Sequence, residues 1–204
     1  MGDTIIPRKQ WGALPPKPAI KEQEYKLPLP EVIDYLVVHK THLPRSLTPQ
    51  ALQRRSQDGR ENKVWDDIPY HYYITWNGKI YEGREMRYVG GHAGKSKEAL
   101  AGKERKEPDF IKKDPDYGSI GIALAGYIDP DLQKDLASKA QIESLKWLIG
   151  YLRARYPRVT LDHVLLHKEI DDKITGTRGY TPAVIAHTDC PGRGVSKQVE
   201  RLRK

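Results

Sequence analysis

The sequence predicts an α/β domain, a mixed central β-sheet flanked by helices, and three observations carry that reading. Runs dense in β-branched and aromatic residues alternate with segments of helical apolar spacing, the pattern of strands joined by crossovers. One pair of such runs is separated only by Trp76-Asn77-Gly78, and Asn-Gly is the preferred tight-turn pair, so at least two neighbouring strands run antiparallel. A chain of 204 residues is long enough to enclose one hydrophobic core, and no internal repeat divides it.

The elements follow in order. The first thirty residues hold Pro15, Pro16, Pro18, Pro28 and Pro30 and read as an extended arm laid over the core. Residues 32–38 (VIDYLVV) read as a buried strand ending at His39. Thr48 before Pro49 is an N-cap followed by proline at the first helical position, opening a short helix to about Arg55. The hairpin pairs residues 70–75 with residues 79–82. Residues 94–113 carry seven Lys or Arg against four acids and lack a sustained apolar period, so they read as a basic surface insertion. Residues 119–125 (SIGIALA) form another buried strand. Ser138 with Gln141 makes a capping box, after which Ile142, Leu145, Leu148, Ile149 and Leu152 recur at helical spacing until Pro157. Residues 160–166 (TLDHVLL) read as a last strand ending at His167. The whole chain, 1–204, is read as one domain and expected to be monomeric.

Composition narrows the function. No run approaches the roughly 18 apolar residues of a spanning helix, and the start lacks the basic-then-apolar layout of a signal peptide. Ile6 stands where a myristoylation signal wants Ser or Thr. The formal charge of +8 favours a polyanionic partner, either nucleic acid or an anionic cell-wall polymer. Helix-turn-helix, zinc-finger and ribonucleoprotein signatures are all lacking, so nucleic acid is not the expected partner.

Two histidines, His39 and His167, end apolar strands, where α/β folds position functional groups. The only cysteine, Cys190, sits in a turn-forming Thr188-Asp189-Cys190-Pro191-Gly192 and cannot form an internal disulfide. Two imidazoles and a thiolate suit Zn²⁺, and three protein ligands leave a fourth position for water, whose pKa a zinc ion lowers toward about 7. Spacing alone does not establish the site, because the three residues follow no short metal-binding rule.

The motifs together resemble the type 2 N-acetylmuramoyl-L-alanine amidase family, which includes peptidoglycan-recognition proteins and phage lysozymes of the T7 type. Arg8-Lys9-Gln10-Trp11-Gly12-Ala13 is similar to an Arg-x-x-Trp-Gly-Ala lead-in. Tyr35-Leu36-Val37-Val38-His39 is similar to the strand delivering the first ligand. The hairpin from Asp67-Ile68-Pro69-Tyr70-His71 to Tyr81-Glu82-Gly83-Arg84, then Gly91-His92-Ala93-Gly94, Ser119-Ile120-Gly121-Ile122, Leu166-His167-Lys168-Glu169 and Thr188-Asp189-Cys190-Pro191-Gly192 follow in the family's order, from residue 7 to 192.

The resemblance implies an amidase fold, a Zn²⁺ cofactor held by His39, His167 and Cys190, and hydrolysis of the bond between N-acetylmuramic acid and L-alanine. It makes Tyr70 and Thr188 catalytic and gives His92 a place in the substrate groove; His42 and His71 are read as structural or surface residues. Peptidoglycan or muropeptides would be the partner, with anionic wall polymers a further one, and action would be at the cell wall after release or export. A non-catalytic peptidoglycan-binding module is the alternative; the presence of Cys190 argues for catalysis. Residues 168–189 form a longer link between the second histidine and the cysteine than compact members have, which keeps His163 open as a rival to His167 and His187 as an added active-site group. Lys40 also departs from the small, polar or histidine residue expected after the first ligand.

Overall fold

The computed structural model describes residues 4–59, 64–104, 110–127, 137–181 and 189–204. In chain order it contains β1 (Ile5–Ile6), α1 (Arg8–Trp11), α2 (Leu29–Val32), β2 (Tyr35–Lys40), α3 (Pro49–Asp58), β3 (Tyr72–Ile74), β4 (Ile80–Glu82), α4 (Lys97–Glu104), β5 (Ser119–Leu124), α5 (Lys139–Arg155), β6 (Val164–Leu166) and α6 (Arg193–Leu202). The six strands form one sheet in the order β1-β4-β3-β5-β2-β6. Only the β3–β4 hairpin is antiparallel, so the sheet is mixed.

Alternation along β2 sorts the chain's chemistry onto one face. Successive strand residues point to opposite sides of a sheet. Leu36 and Val38 share one core with Ile120, Ile122 and Leu124 of β5, with Leu145, Leu148, Ile149 and Leu152 of α5, and with Val195 and Val199 of α6. Val37 packs on the other side with Ala93, Leu165, Ile170 and Ile174. Tyr73 and Ala123 lie on that other side too, against Trp11, Leu52 and Ile68. By the same period of two, His39 belongs to the Val37 row. Gly121 pairs with Val37 and Ala123 with His39, so the neighbouring strand presents only small side chains beside the histidine.

The helices begin where their caps dictate. Thr48 accepts a hydrogen bond from Ala51 N–H ahead of Pro49, and α3 runs on to Asp58, beyond the expected end near Arg55. The Ser138–Gln141 capping box is formed in both directions at the start of α5, a cap worth about 1 kcal/mol. Gly78 turns the hairpin with φ of 81°, a left-handed conformation that glycine adopts without strain.

Four expectations change. The strand read from residue 32 starts at Tyr35, because Pro30 enters the first turn of α2 and leaves Leu29–Val32 helical. The strand read over residues 160–166 is only Val164–Leu166; Leu161–His163 winds into a 3-10 turn, and His167 opens the next one. The N-terminal segment is not an extended arm. β1 joins the sheet edge, α1 buries Trp11, and Pro18–Gln23 forms a 3-10 helix that buries Ile20, since proline favours the first helical position as readily as an extended one. The basic insertion is partly helical: in α4 the Ser96 hydroxyl accepts from Ala99 N–H at 2.9 Å while Ala99 packs inward. Residues 105–109 of it lie outside the described residues.

Candidate metal centre

Three elements meet at the C-terminal ends of β2 and β6. β2 carries His39 one residue before its end, the turn after β6 starts with His167, and the segment before α6 brings in Cys190. The side-chain donor atoms of these three residues lie within 4.8 Å of one another, with His39 Nδ1 and Cys190 Sγ 4.0 Å apart. A zinc ion with bonds of about 2.0–2.3 Å would draw these donors closer together. Two imidazole nitrogens and one sulfur are a zinc donor set, so the residues fit the metal.

The surroundings hold this geometry without the ion. Lys40 N–H donates to Cys190 Sγ at 3.3 Å, and Lys168 N–H donates to Cys190 C=O at 3.3 Å, tying the cysteine to β2 and to the turn that bears His167. The buried Lys40 ammonium pairs with Asp189 at 3.1 Å, which gives this unusual lysine a local task beside the cysteine. On the His167 side, Glu169 accepts from Leu166 N–H at 2.7 Å and takes both guanidinium nitrogens of Arg203, at 2.5 and 2.9 Å. That fork fastens the 3-10 turn bearing His167 to the end of α6.

Burial sets the protonation of the donors. It holds His39 well below the ordinary imidazole value, with His167 and His92 adding to the effect. It lowers His167 to about 4. Both are therefore neutral lone-pair donors near pH 7. Burial pushes the Cys190 thiol up to about 11, partly offset by the Lys40 N–H, so the sulfur keeps its proton until a cation displaces it.

Tyr70 stands beside the cluster, half-buried, its ring centroid 5.2 Å from that of His39. Its backbone carbonyl accepts from Arg84 N–H at 2.8 Å. His92 is buried beside the cluster. Its side chain is fully out of solvent, and Nδ1 lies 3.0 Å from His39 Nε2, behind the ligand. Of the rivals, His163 sits apart, its Nδ1 3.1 Å from Arg158 C=O and its ring against Tyr35. Thr188 and His187 lie outside the described residues. His71 is buried, while His42 is exposed on a turn at φ of 53° with its ring against Tyr127. Sequence reasoning missed Asp116, which accepts from His92 N–H at 2.7 Å and Ala93 N–H at 2.9 Å. Its one local signal is the turn-forming Asp114-Pro115-Asp116 before the strand.

The family model described as N-acetylmuramoyl-L-alanine amidase matches residues 29–193. A pig protein, N-acetylmuramoyl-L-alanine amidase, is 27% identical over 199 residues, covering 92% of this chain and 25% of that protein. Peptidoglycan-recognition protein LB of Drosophila melanogaster is 26% identical over 199 residues, covering 92% of this chain and 64% of its own length. The chain thus spans between a quarter and about two-thirds of these relatives. The wild-type Drosophila PGRP-LB structure superposes with a TM-score of 0.61 at 22% identity, over 97% of this chain and 92% of that one. The Ph2119 endolysin of a Thermus scotoductus bacteriophage gives 0.59 at 18% identity, over 98% and 99%. These two likenesses show the fold.

Proposed function

Since the chain belongs to the N-acetylmuramoyl-L-alanine amidase family, we propose that it is a zinc-dependent amidase that cleaves the bond between the lactyl group of N-acetylmuramic acid and L-alanine in peptidoglycan or its muropeptide fragments. The observation that carries this reading is the convergence of His39, His167 and Cys190 within 4.8 Å. A recognition module that only binds peptidoglycan has no chemical use for a cysteine sulfur set beside two lone-pair donors.

Zinc, when bound, supplies Lewis acidity toward a carbonyl oxygen and toward water. The chain's residues do the remainder. His39, His167 and Cys190 would hold the ion. Water adds across the amide: its oxygen joins the lactyl carbonyl carbon, the C–N bond breaks, and the proton ends on the alanine nitrogen. Tyr70 donates its hydroxyl hydrogen to the oxygen that gains charge, a contact worth about 10²–10³ in rate where one such donor is removed. Thr188 is assigned as a second donor from its motif position alone. The net charge of +8 suits an anionic wall polymer as the setting in which a monomeric enzyme meets its substrate.

Digestion of purified muropeptide, followed by mass analysis, tests the proposal. Zinc-loaded protein should release an intact sugar and a stem peptide with a free alanine amine, and His39→Ala should lose both metal and activity. Muropeptide bound by the zinc-loaded protein but left uncut would establish the recognition module instead.

A further inference from the structure

His92 and Asp116 form a buried pair behind the metal centre that the amidase chemistry does not use. Asp116 is 1% exposed and receives two backbone N–H groups, from His92 and Ala93, so its carboxylate is fixed in direction. His92 Nε2 lies 3.4 Å from the same Asp116 oxygen, and His92 Nδ1 lies 3.0 Å from His39 Nε2. The ring fills a slot made by two glycines. A Cβ on Gly121 would come to 2.3 Å from its Cδ2, and one on Gly90 to 2.6 Å. Behind Gly121, His71 is locked in one orientation by Gly121 N–H at 3.1 Å and by Tyr88 C=O at 3.0 Å.

Each ring has one hydrogen to place, and the neighbours decide where it goes. A bare His92 Nε2 would bring its lone pair within 3.4 Å of a carboxylate oxygen, which is repulsive, whereas an Nε2–H is drawn by that charge although the two groups are not aligned for a hydrogen bond. The hydrogen therefore sits on His92 Nε2, leaving Nδ1 as an acceptor. His39 must then donate from Nε2, and its lone pair is on Nδ1, the atom 4.0 Å from Cys190 Sγ. The opposite arrangement would put a hydrogen on His39 Nδ1, where a metal ion could not approach.

We infer that Asp116 and His92 act as a positioning relay that fixes the tautomer and ring angle of His39, so that Nδ1 is presented to the metal. The inference rests on the zinc reading given above and adds the residues that make His39 a ligand. Outer partners of ligating histidines commonly change metal affinity by about 10–100-fold. The side chain of asparagine carries its oxygen where histidine carries Nδ1, and leucine carries a methyl there, so the pair of variants separates acceptor from bulk.

The test measures zinc dissociation by chelator competition for the wild-type protein, His92→Leu and His92→Asn, with thermal melts of the metal-free proteins to confirm folding. It adds long-range ¹H–¹⁵N correlation on the metal-free wild type to locate the His39 hydrogen. His92→Leu should bind zinc about 10–100-fold more weakly, His92→Asn should recover to within a few-fold of wild type, and His39 should carry its hydrogen on Nε2. Equal affinity in all three proteins, equal loss in both variants, or a hydrogen on His39 Nδ1 would overturn the relay while leaving the zinc reading intact. A wild-type protein that takes up no zinc would remove the zinc reading and the relay with it.

Discussion

Replacing Gly121 by alanine adds one methyl group at the most crowded point behind the metal centre. The new Cβ would stand 2.3 Å from His92 Cδ2, 2.6 Å from Cγ and 2.7 Å from Nε2, against an ordinary carbon separation of about 3.5–4.0 Å. The imidazole must retreat by more than about 1 Å. A Cβ on Gly90 would also come within 2.6 Å of the same Cδ2, so both glycines closely crowd this edge of the ring. Overpacking of this kind costs about 1–3 kcal/mol, and for a chain of this size each kcal/mol moves Tm by about 2–4 °C. Gly150 supplies the control. It lies within α5, and nothing stands within 4 Å of a Cβ added there, so Gly150→Ala should stabilise by about 0.5–1 kcal/mol. Thermal unfolding followed by circular dichroism, with a chelator present to remove the metal contribution, should show Gly121→Ala melting below wild type and Gly150→Ala above it. If Gly121→Ala melts at or above the wild-type temperature, the account of a ring wedged between two glycines is wrong.

Cys190→Ser should lose bound zinc on dialysis, and its Tm should no longer rise when zinc is added, whereas wild type should gain about 4 kcal/mol at a thousandfold excess over Kd; metal analysis and melts read both. Tyr70→Phe should keep its zinc and its KM while kcat falls about 10²–10³-fold, and a wild-type kcat would remove Tyr70 from the reaction. His71 is held at about 3 by burial and by the nearby His92, against 6.5 for a free imidazole. The unfolded chain takes up that proton below about pH 6.5 and the fold does not, so stability is complete above that pH and drains away as acidity increases toward the folded value, by about 1.4 kcal/mol per pH unit. Urea unfolding between pH 7 and 5 should give a profile shallower by one proton for His71→Gln than for wild type, and identical slopes would contradict it. Ser138→Ala should cost about 1 kcal/mol through its lost cap, visible as a lower urea midpoint, with zinc affinity unchanged.

Local chemistry wrote the elements that were legible in the sequence. Asn77-Gly78 announces the hairpin because glycine alone enters the left-handed region freely, and Gly78 does so. Ser138 and Gln141 announce α5 because their side chains satisfy N–H groups that the first helical turn leaves open. The donor cluster could be read because strand ends, a lone cysteine and ordered motifs pointed to the same three residues, which the fold then brings within one ion's reach. What escaped was written through space. Asp116 reaches His92 from a turn 24 residues further along the chain, a contact with no periodic trace. The resemblance gave His92 a place in the groove; that its ring is buried, admitted by Gly90 and Gly121, left no mark in the Gly-His-Ala motif itself. The N-terminal prolines misled because a proline count does not distinguish an extended segment from the first turn of a helix; Leu29–Val32 and Pro18–Gln23 took the second course.

The division of β2 into two rows has a consequence for how this chain can change. Leu36 and Val38 answer to α5 and α6, whereas His39 answers to residues from three distant loops. Substitutions in the first row trade bulk against neighbouring bulk and are tested by whether the protein persists. Substitutions in the second are tested by what the protein does. The two rows can therefore drift at different rates and be redesigned in separate rounds. A single-residue insertion within Tyr35–Lys40 is the exception: it would exchange the rows, sending the histidine into the oil and a valine to the metal, and so would forfeit fold and chemistry in one step.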